Sequence, residues 1–508
     1  MTSGHLEVET KYDVDEGFFV PDLSGLDGVT TVDAPVEHLL EAVYLDTEDL
    51  RLLRARITLR RRTGGTDAGW HLKLPAGTAR RELHAPLGRA TKKAPRALQA
   101  PVAGVLRGAK AQPVATLRTR RVVTALRGAD GQLLAEIADD TVSATLLAAP
   151  GAAAELSTWH EVEVELGAGD DALAAAVGER LVEAGARPSE SASKIGRVLH
   201  GRLAALPSGT AALAERTHGG SAGEFLHATL SDQVAGLEGA DVMLRTEQPD
   251  AVHQVRVGAR RLRSTLAAFH PLMDETTVRS LRDELSWLGA QLADARDAEV
   301  ALEHLREMVQ AEPVELVLGP VAARIQQAEF TEVRAGLDRA LRTLSEPRYL
   351  RLLDDLHAFL AHPPFTPGAE EPLRPVLRDT TQRSVKRLRR RMKAARQAEG
   401  EARTEALHEV RKAAKRARYA AEVGAGELAH VKALARSAKR VQTVLGELQD
   451  TVVTREQCRR LGIAAAAAGE NAFTYGRLHG LEQGRAARAE ADFWAHEHKV
   501  RRVLRAAG

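Results

Sequence analysis

The chain has 508 residues, 71 Lys and Arg against 69 Asp and Glu, a formal net charge of +2, and one cysteine, Cys458. At roughly 150 residues per domain this allows about three domains with sizeable cores, whereas a single cysteine excludes an intramolecular disulfide and a cysteine-based metal cage. The near-neutral balance gives no global signal for nucleic acid, but between Arg383 and Arg418 stand 14 basic and 4 acidic residues, a local field that attracts polyanions.

The opening MTSGHLEVETKY has neither a basic leader nor an apolar segment, and the small apolar run Ile463 to Ala468 is too short to span a bilayer. A soluble cytoplasmic protein that makes no membrane contact is expected. From His5 to about Leu166 the pattern is largely period two, broken by Gly, Pro and Asp, and predicts antiparallel strands. Charge is segregated along these strands. Glu7, Glu9 and Lys11 share one face, and Arg54, Arg56, Arg60 and Arg62 share a face against Leu53, Ile57 and Leu59. His71 and Lys73 oppose Trp70, Leu72 and Leu74, Arg118 lines up with Arg120, and Glu161, Glu163 and Glu165 alternate with Val162, Val164 and Leu166.

A solvated sheet face explains any one of these strands. Wholly acidic rows beside wholly basic rows are better explained by a closed barrel with a polar lumen. Clustered carboxylates suit magnesium or manganese, which take oxygen ligands, and inward Arg and Lys suit phosphate oxygens. Together they describe a site for a metal and a phosphate chain.

These residues resemble the CYTH domain, the triphosphate tunnel metalloenzymes. The landmarks in order are Glu7-Val-Glu9-Thr-Lys11, Tyr44-Leu-Asp46-Thr, the Arg54 to Arg62 strand, Leu72-Lys73-Leu-Pro75, Arg118-Thr-Arg120, Glu136-Ile-Ala-Asp139-Asp140, Glu161-Val-Glu163 and Ser193-Lys194. The resemblance implies an eight-stranded antiparallel tunnel that binds triphosphate with a divalent metal, magnesium or manganese. It implies metal ligands at Glu7, Glu9, Glu161, Glu163 and Asp140, with Asp139 as an alternative to Asp140 and Glu165 a further candidate. It assigns triphosphate contacts to Lys11, Arg56, Lys73, Arg118, Arg120 and Lys194, and Arg54 and Arg60 join them by facing; Lys11 and Lys73 are the candidate catalytic cations. Inorganic triphosphate is the favoured substrate, with thiamine triphosphate hydrolysis, an adenylyl cyclase reaction and a non-catalytic scaffold as alternatives.

Asp170 to Glu183 reads as an Ala-rich helix, and 201–221, rich in Gly, Ser, Thr and Ala, reads as a linker between a domain at 1–200 and another at 222–508. Beyond Ala222 amphipathic helices follow, with breaks near Pro249, Pro271, Pro313, Pro347, Pro363 to Pro367 and Gly424 to Gly426. The fold class expected is therefore α+β, an antiparallel barrel followed by an all-α domain. Within the latter, Val252 to Leu266 recurs 155 residues later as Leu407 to Ala421. At roughly 100° per residue His253, Arg256, Arg260 and Arg263 fall within an arc of about 80°, as do His408, Arg411, Lys415 and Arg418. In the neighbouring run Arg383, Lys386, Arg387 and Arg390 follow helical spacing.

This second half resembles the CHAD domain, the conserved-histidine α-helical domain, on Pro249-Asp-Ala-Val-His253-Gln-Val-Arg256 with Arg260-Arg261-Leu-Arg263, and on His408-Glu-Val-Arg411 with Lys415-Arg416-Ala-Arg418. The resemblance implies two pseudo-symmetric four-helix bundles, half-repeats about 222–362 and 372–505, whose basic helices bind inorganic polyphosphate through the two stripes, with Arg383, Lys386, Arg387 and Arg390 as further candidate contacts, and association to polyphosphate granules as an extension. Few aromatics interleave the basic residues, which disfavours nucleic acid.

Overall fold

The computed structural model describes residues 3–77, 79–88, 93–147, 155–191, 193–206, 220–423 and 431–506, with no side chain described for 3–7 and 294–299. The chain divides into two compact units, Met1–Pro207 and Ser208–Gly508. Residues 207–219 of the expected linker and the expected break at Gly424 to Gly426 lie outside the described residues.

The first unit is an antiparallel sheet of eleven strands: β1 (Ser3–Glu7), β2 (Glu9–Val14), β3 (Thr31–Val32), β4 (Val36–Asp46), β5 (Thr58–Thr63), β6 (Gly69–Ala76), β7 (Ala79–Pro86), β8 (Gln112–Arg127), β9 (Leu133–Leu146), β10 (Glu155–Leu166) and β11 (Arg187–Pro188). Eight were expected; the excess arises because Val8 divides the first strand in two and because β3 and β11 are two-residue additions. That division also closes the sheet. β1 pairs with β7 and β2 with β10, so both ends of the strand order β7-β6-β5-β4-β8-β9-β10 meet on one N-terminal strand.

Alternation then gives each strand two faces. On β2 and β10 the face turned outward is apolar and covered. Val162 and Val164 of β10 and Tyr12 and Val14 of β2 share a core with Leu173, Val177 and Leu181 of α4 (Asp171–Glu183), which Asp170 caps by accepting from Leu173 N–H at 2.9 Å. On the inner face, the one that carries Tyr44 and Asp140, Ile195 and Leu199 of α5 (Lys194–Ala205) pack with Ala42, Tyr44, Val142 and Ala144, and at roughly 25 cal/mol per Å² such contacts anchor the helix.

One predicted strand is broken. Arg51–Arg54 forms a short helix, α1, and Arg56 sits at φ 59, so the alternation expected from Arg54 onward begins only at Thr58. The cause is Asp46, 3 % exposed, whose carboxylate accepts from the backbone N–H groups of Thr47, Leu52 and Leu53 at 2.7, 2.9 and 2.9 Å and turns the chain into the helix. Two more short helices, α2 (Arg96–Gln99) and α3 (Ala103–Leu106), bury Leu98, Val105 and Leu106.

The second unit is helical: α6 (Ala222–Arg245), α7 (Ala251–Ala268), α8 (Glu275–Gln291), α9 (Ala293–Ala311), α10 (Val321–Ser345), α11 (Pro347–Ala361), α12 (Leu373–Gln397), α13 (Gly400–Val423), α14 (Val431–Ala467) and α15 (Phe473–Ala506). Its starts follow capping chemistry. Ser221 and Glu224 form a reciprocal capping box on α6, Asp274 accepts from Thr277 N–H at 2.8 Å on α8, and Pro347 occupies the first turn of α11. One apolar core runs through both halves, with Leu237, Val255, Leu262, Leu285 and Leu353 from the first and Val385, Leu388, Val410 and Leu445 from the second. A smaller cluster joins α9, α10, α14 and α15 through Leu302, Leu305, Ile325, Leu461 and Tyr475.

Candidate functional site

The barrel lumen holds a cavity of about 510 Å³ whose lining is mostly charged: Glu9, Lys11, Arg60, Arg62, Lys73, Arg80, Glu82, Arg121, Glu136, Glu163, Glu165 and Lys194 are among it. Register explains the grouping. Arg121 of β8 stands opposite Asp140 of β9, which stands opposite Glu161 of β10; on the next pair Glu163 faces Lys11 and Glu165 faces Glu9. Cross-strand neighbours on one face lie within side-chain reach, so charged residues of separate strands become one group.

Asp140, Glu161 and Glu163 converge, with one oxygen from each inside a 4.8 Å set, and all are buried. Cations hold them together. Lys194 Nζ lies 2.9 Å from Asp140, 2.5 Å from Glu161 and 2.6 Å from Glu163, and Arg121 donates to Asp140 at 2.6 and 2.8 Å and to Glu163 at 2.5 Å. Lys11 pairs with Glu163 and lies 3.2 Å from Glu9. Burial alone would raise the Glu163 carboxyl, but Lys11, Lys194 and Arg121 outweigh it and hold the pKa well below the carboxylate range. Burial would likewise lower the Lys194 ammonium, yet Asp140, Glu163 and Glu161 raise it.

Across the lumen stands a basic wall. Arg60 and Arg62 come from β5 and Lys73 from β6. Burial first, then Arg60 and Arg121, pushes the Arg62 guanidinium down to about 9, although it pairs with Asp67. Tyr44 of β4 joins this wall with its hydroxyl 3.4 Å from Arg60 Nη1; against its burial, Arg60, Lys194 and Lys73 lower its pKa. Glu82 accepts from His71 Nδ1 at 2.7 Å, and burial pushes His71 down to about 4.

The sequence-predicted residues divide accordingly. Glu9, Lys11, Arg60, Lys73, Glu163 and Lys194 line the cavity, and Asp140 and Glu161 stand behind Glu163. Asp139 turns the other way and pairs with His160, whereas Asp140 groups with Glu161 and Glu163. Glu165 lines the cavity with Glu136. The side chain of Glu7 lies outside the described residues; its backbone pairs with Arg80.

Arg118 and Arg120 require correction, for they face outward, 78 % and 55 % exposed, and pair with Glu41 and Glu37 at 3.0 and 2.7 Å. The inward place on β8 belongs to Arg121, which sequence reasoning passed over. Arg54 and Arg56 also lie outside the lining, because α1 removes them from the strand alternation. Tyr44, Arg80 and Glu82 were missed as lining residues, and Arg62, placed on the face of Arg60, was not carried into the phosphate contacts. The signal for Arg62 was its parity with Arg60; Arg80 and Glu82 alternate with Arg81 and Leu83 but have acid and base on one face, which hid the row.

In the helical unit α7 packs on α13, bringing the two repeat stripes together. Arg260 Nε donates to the Tyr419 hydroxyl at 2.9 Å, Arg256 to the Ala293 carbonyl at 3.3 Å, and His408 Nδ1 lies 2.9 Å from Gln449 Oε1. Lys415 has Arg411 and Arg418 on its own helix and Arg256 and Arg260 on α7 around it; burial first, then these guanidiniums in the order Arg411, Arg260, Arg256 and Arg418, lowers its ammonium to about 7. His253 faces with Arg256 on α7. The α12 stripe goes elsewhere: Arg383, Lys386, Arg387 and Arg390 line a separate cavity of about 490 Å³ with Arg279, Arg282 and Arg416. Arg263 donates to Ser286 Oγ at 3.0 Å, between the two groups.

A closed antiparallel barrel with a charged lumen, followed by a helical repeat with paired cationic faces, is a two-domain architecture specified at both ends. Residues 5–198 match the CYTH domain and residues 228–459 the CHAD domain. The chain is 38% identical over 517 aligned residues, 99% of its own length and 98% of theirs, to proteins named "Uncharacterized protein" in two strains of Mycobacterium tuberculosis, H37Rv and CDC 1551 / Oshkosh. It belongs to one family with them, and carries a CYTH domain followed by a CHAD domain. Solved structures with similarity include PptA from Streptomyces chartreusis, 20% identical with a TM-score of 0.45 over 55% of this chain and 99% of that one. The CHAD domain from the plant Ricinus communis is 25% identical with a TM-score of 0.42, over 57% of this chain and 93% of that one. Among the described residues no helix is long and apolar enough to cross a membrane.

Proposed function

We propose that the barrel hydrolyses inorganic triphosphate with the aid of magnesium or manganese, and that the paired stripes of α7 and α13 bind inorganic polyphosphate, which would hold the protein at polyphosphate granules. The observation that carries the reading is the opposition, across one cavity, of the carboxylate group at Asp140, Glu161 and Glu163 and the basic wall at Arg60, Arg62 and Lys73. The carboxylates fit a hard divalent cation: three buried oxygens, one from each, converge within one set.

Asp140, Glu161 and Glu163 would hold the metal, with Glu9 alongside; when bound it supplies Lewis-acid polarisation of a phosphoryl oxygen and activation of water. The chain's own residues do the rest. Arg60, Arg62 and Lys73 take the phosphate oxygens and neutralise the charge that builds on the departing diphosphate. The Tyr44 hydroxyl beside Arg60 orients that guanidinium. Lys194 and Arg121 lie on these carboxylates and compensate their charge.

A second reading has a specific observation behind it. Lys11, Lys194 and Arg121 already compensate Asp140, Glu161 and Glu163, three cations against three carboxylates, as a tunnel that only holds phosphate chains would also show. Phosphate release from triphosphate, thiamine triphosphate, long-chain polyphosphate and ATP, each with magnesium, manganese or chelator, separates the readings. Metal-dependent release from triphosphate supports the hydrolase. Retention of triphosphate without release supports the scaffold, and pyrophosphate with a cyclic nucleotide from ATP would indicate a cyclase.

A further inference from the structure

The α12 cavity holds more charge than its fold uses. Seven cations line it against one carboxylate, Glu275, which Arg279 engages at 2.5 Å. Arg282 Nε is buried with no hydrogen-bond partner among the described residues. Burial first, then Arg391 and Arg390, lowers the Arg387 guanidinium; burial first, then Arg387, Arg282 and Arg263, lowers that of Arg416. Like charges gathered this way cost free energy that an anion would offset.

The cavity is joined to the paired stripes at one point. Arg263 feels both Arg260, in the stripes, and Arg282, in the cavity. Its guanidinium donates to Ser286, one turn along α8 from Arg282, or about 6 Å of helix rise; Arg260 precedes it by one turn of α7. Arg260 and Arg263 thus stand one turn apart on α7, and Arg263 reaches α8 one turn from Arg282, so the three form a cationic series. The spacing suits a linear chain of phosphates better than a compact anion.

The repeat does not duplicate this feature. Arg418, the counterpart of Arg263, lies 3.4 Å from Glu422 on its own helix. Arg261, the counterpart of Arg416, is exposed, and α6, which precedes α7 as α12 precedes α13, carries Arg245 as its single Arg or Lys. The cationic path thus has a cavity at one end.

We infer that this cavity is the end seat of a linear polyphosphate: the terminal phosphates occupy it, Arg263 carries the chain across, and the following phosphates lie along the group around Lys415. The inference rests on the polyphosphate reading above and adds a direction and a minimum length, because a short chain fills the seat or the Lys415 group but not both.

The test uses long-chain polyphosphate with free ends and the same chains with both ends capped by a bulky amine label. The full chain carries Arg60→Ala and Lys73→Ala throughout, so that chain ends held in the barrel do not contribute. Free-ended chains should bind about tenfold tighter than capped ones. Arg282→Ala with Arg387→Ala should abolish that difference, any loss of general electrostatic attraction lowering both affinities alike, and the Arg282→Lys, Arg387→Lys pair should keep it. Equal affinity for free and capped chains, or a difference that survives the alanine pair, overturns the end seat. Absence of all polyphosphate binding would overturn the polyphosphate reading beneath it, a different result from either.

Discussion

Lys415 makes polyphosphate affinity depend on pH, with a size set by its surroundings. Burial and four guanidiniums lower its ammonium to about 7 from an ordinary 10.5, so in the free protein at pH 8 it is about nine-tenths neutral, and at pH 6 about nine-tenths charged. A polyanion neutralises the guanidiniums and favours the charged amine, so binding at pH 8 takes up about one proton. Between pH 6 and pH 8 the affinity should fall about tenfold, or about 1.4 kcal/mol. The free protein responds in the opposite sense: the unfolded chain holds more protons between pH 7 and 10.5, so stability rises with pH across that window, and below pH 7 the penalty is fully present. Titration at constant ionic strength gives the affinities, and calorimetry in two buffers of different ionisation enthalpy gives the proton uptake. Lys415→Arg keeps the charge and removes this titration, and any contribution from His253 or His408 is common to both proteins. Identical pH dependence in the two would refute the reasoning.

Replacing Lys194 by Met leaves Asp140, Glu161 and Glu163 without the ammonium that spans them; stability should fall by about 3–5 kcal/mol, and magnesium should restore part of it, as thermal unfolding with and without the metal will show. Asp46→Ala removes the acceptor of three backbone N–H groups and should cost about 2 kcal/mol or more in denaturant unfolding; an unchanged midpoint would mean that α1 does not depend on this carboxylate. Burial and the nearby Glu482 push the Cys458 thiol up to about 12, so iodoacetamide at pH 8 should leave it unlabelled until the protein is unfolded. Labelling at the rate of a free thiol would contradict its place in the α9, α10, α14 and α15 cluster.

Period-two alternation made β2, β6 and β10 legible, since each sets charged residues on one face against apolar ones on the other: Glu161, Glu163 and Glu165 could be assigned to a single side from the sequence alone. The same rule fails where charged residues are adjacent. In Arg120-Arg121 and Asp139-Asp140 both faces are charged, and only the partners decide: Arg121 meets Asp140 and Glu163, whereas Arg120 meets Glu37 and Asp139 meets His160. Arg54 and Arg56 were misplaced for another reason. Asp46 captures backbone donors six and seven residues ahead, and such a long-range cap leaves no periodic signature. In the helical half the repeat announced α7 and α13, but the cavity beside α12 draws Arg279 and Arg282 from a helix with no repeated motif.

Glu163 is the residue on which the account rests most directly, for it touches Lys11, Arg121 and Lys194 and faces the cavity. The measurement is magnesium-dependent phosphate release from triphosphate by Glu163→Gln beside the unchanged protein, with circular dichroism and polyphosphate affinity recorded on the same samples. A fall of about 100-fold or more in turnover, with fold and polyphosphate affinity retained, is the result the account predicts. Turnover within about threefold of the unchanged protein would contradict a reaction carried out at this carboxylate group.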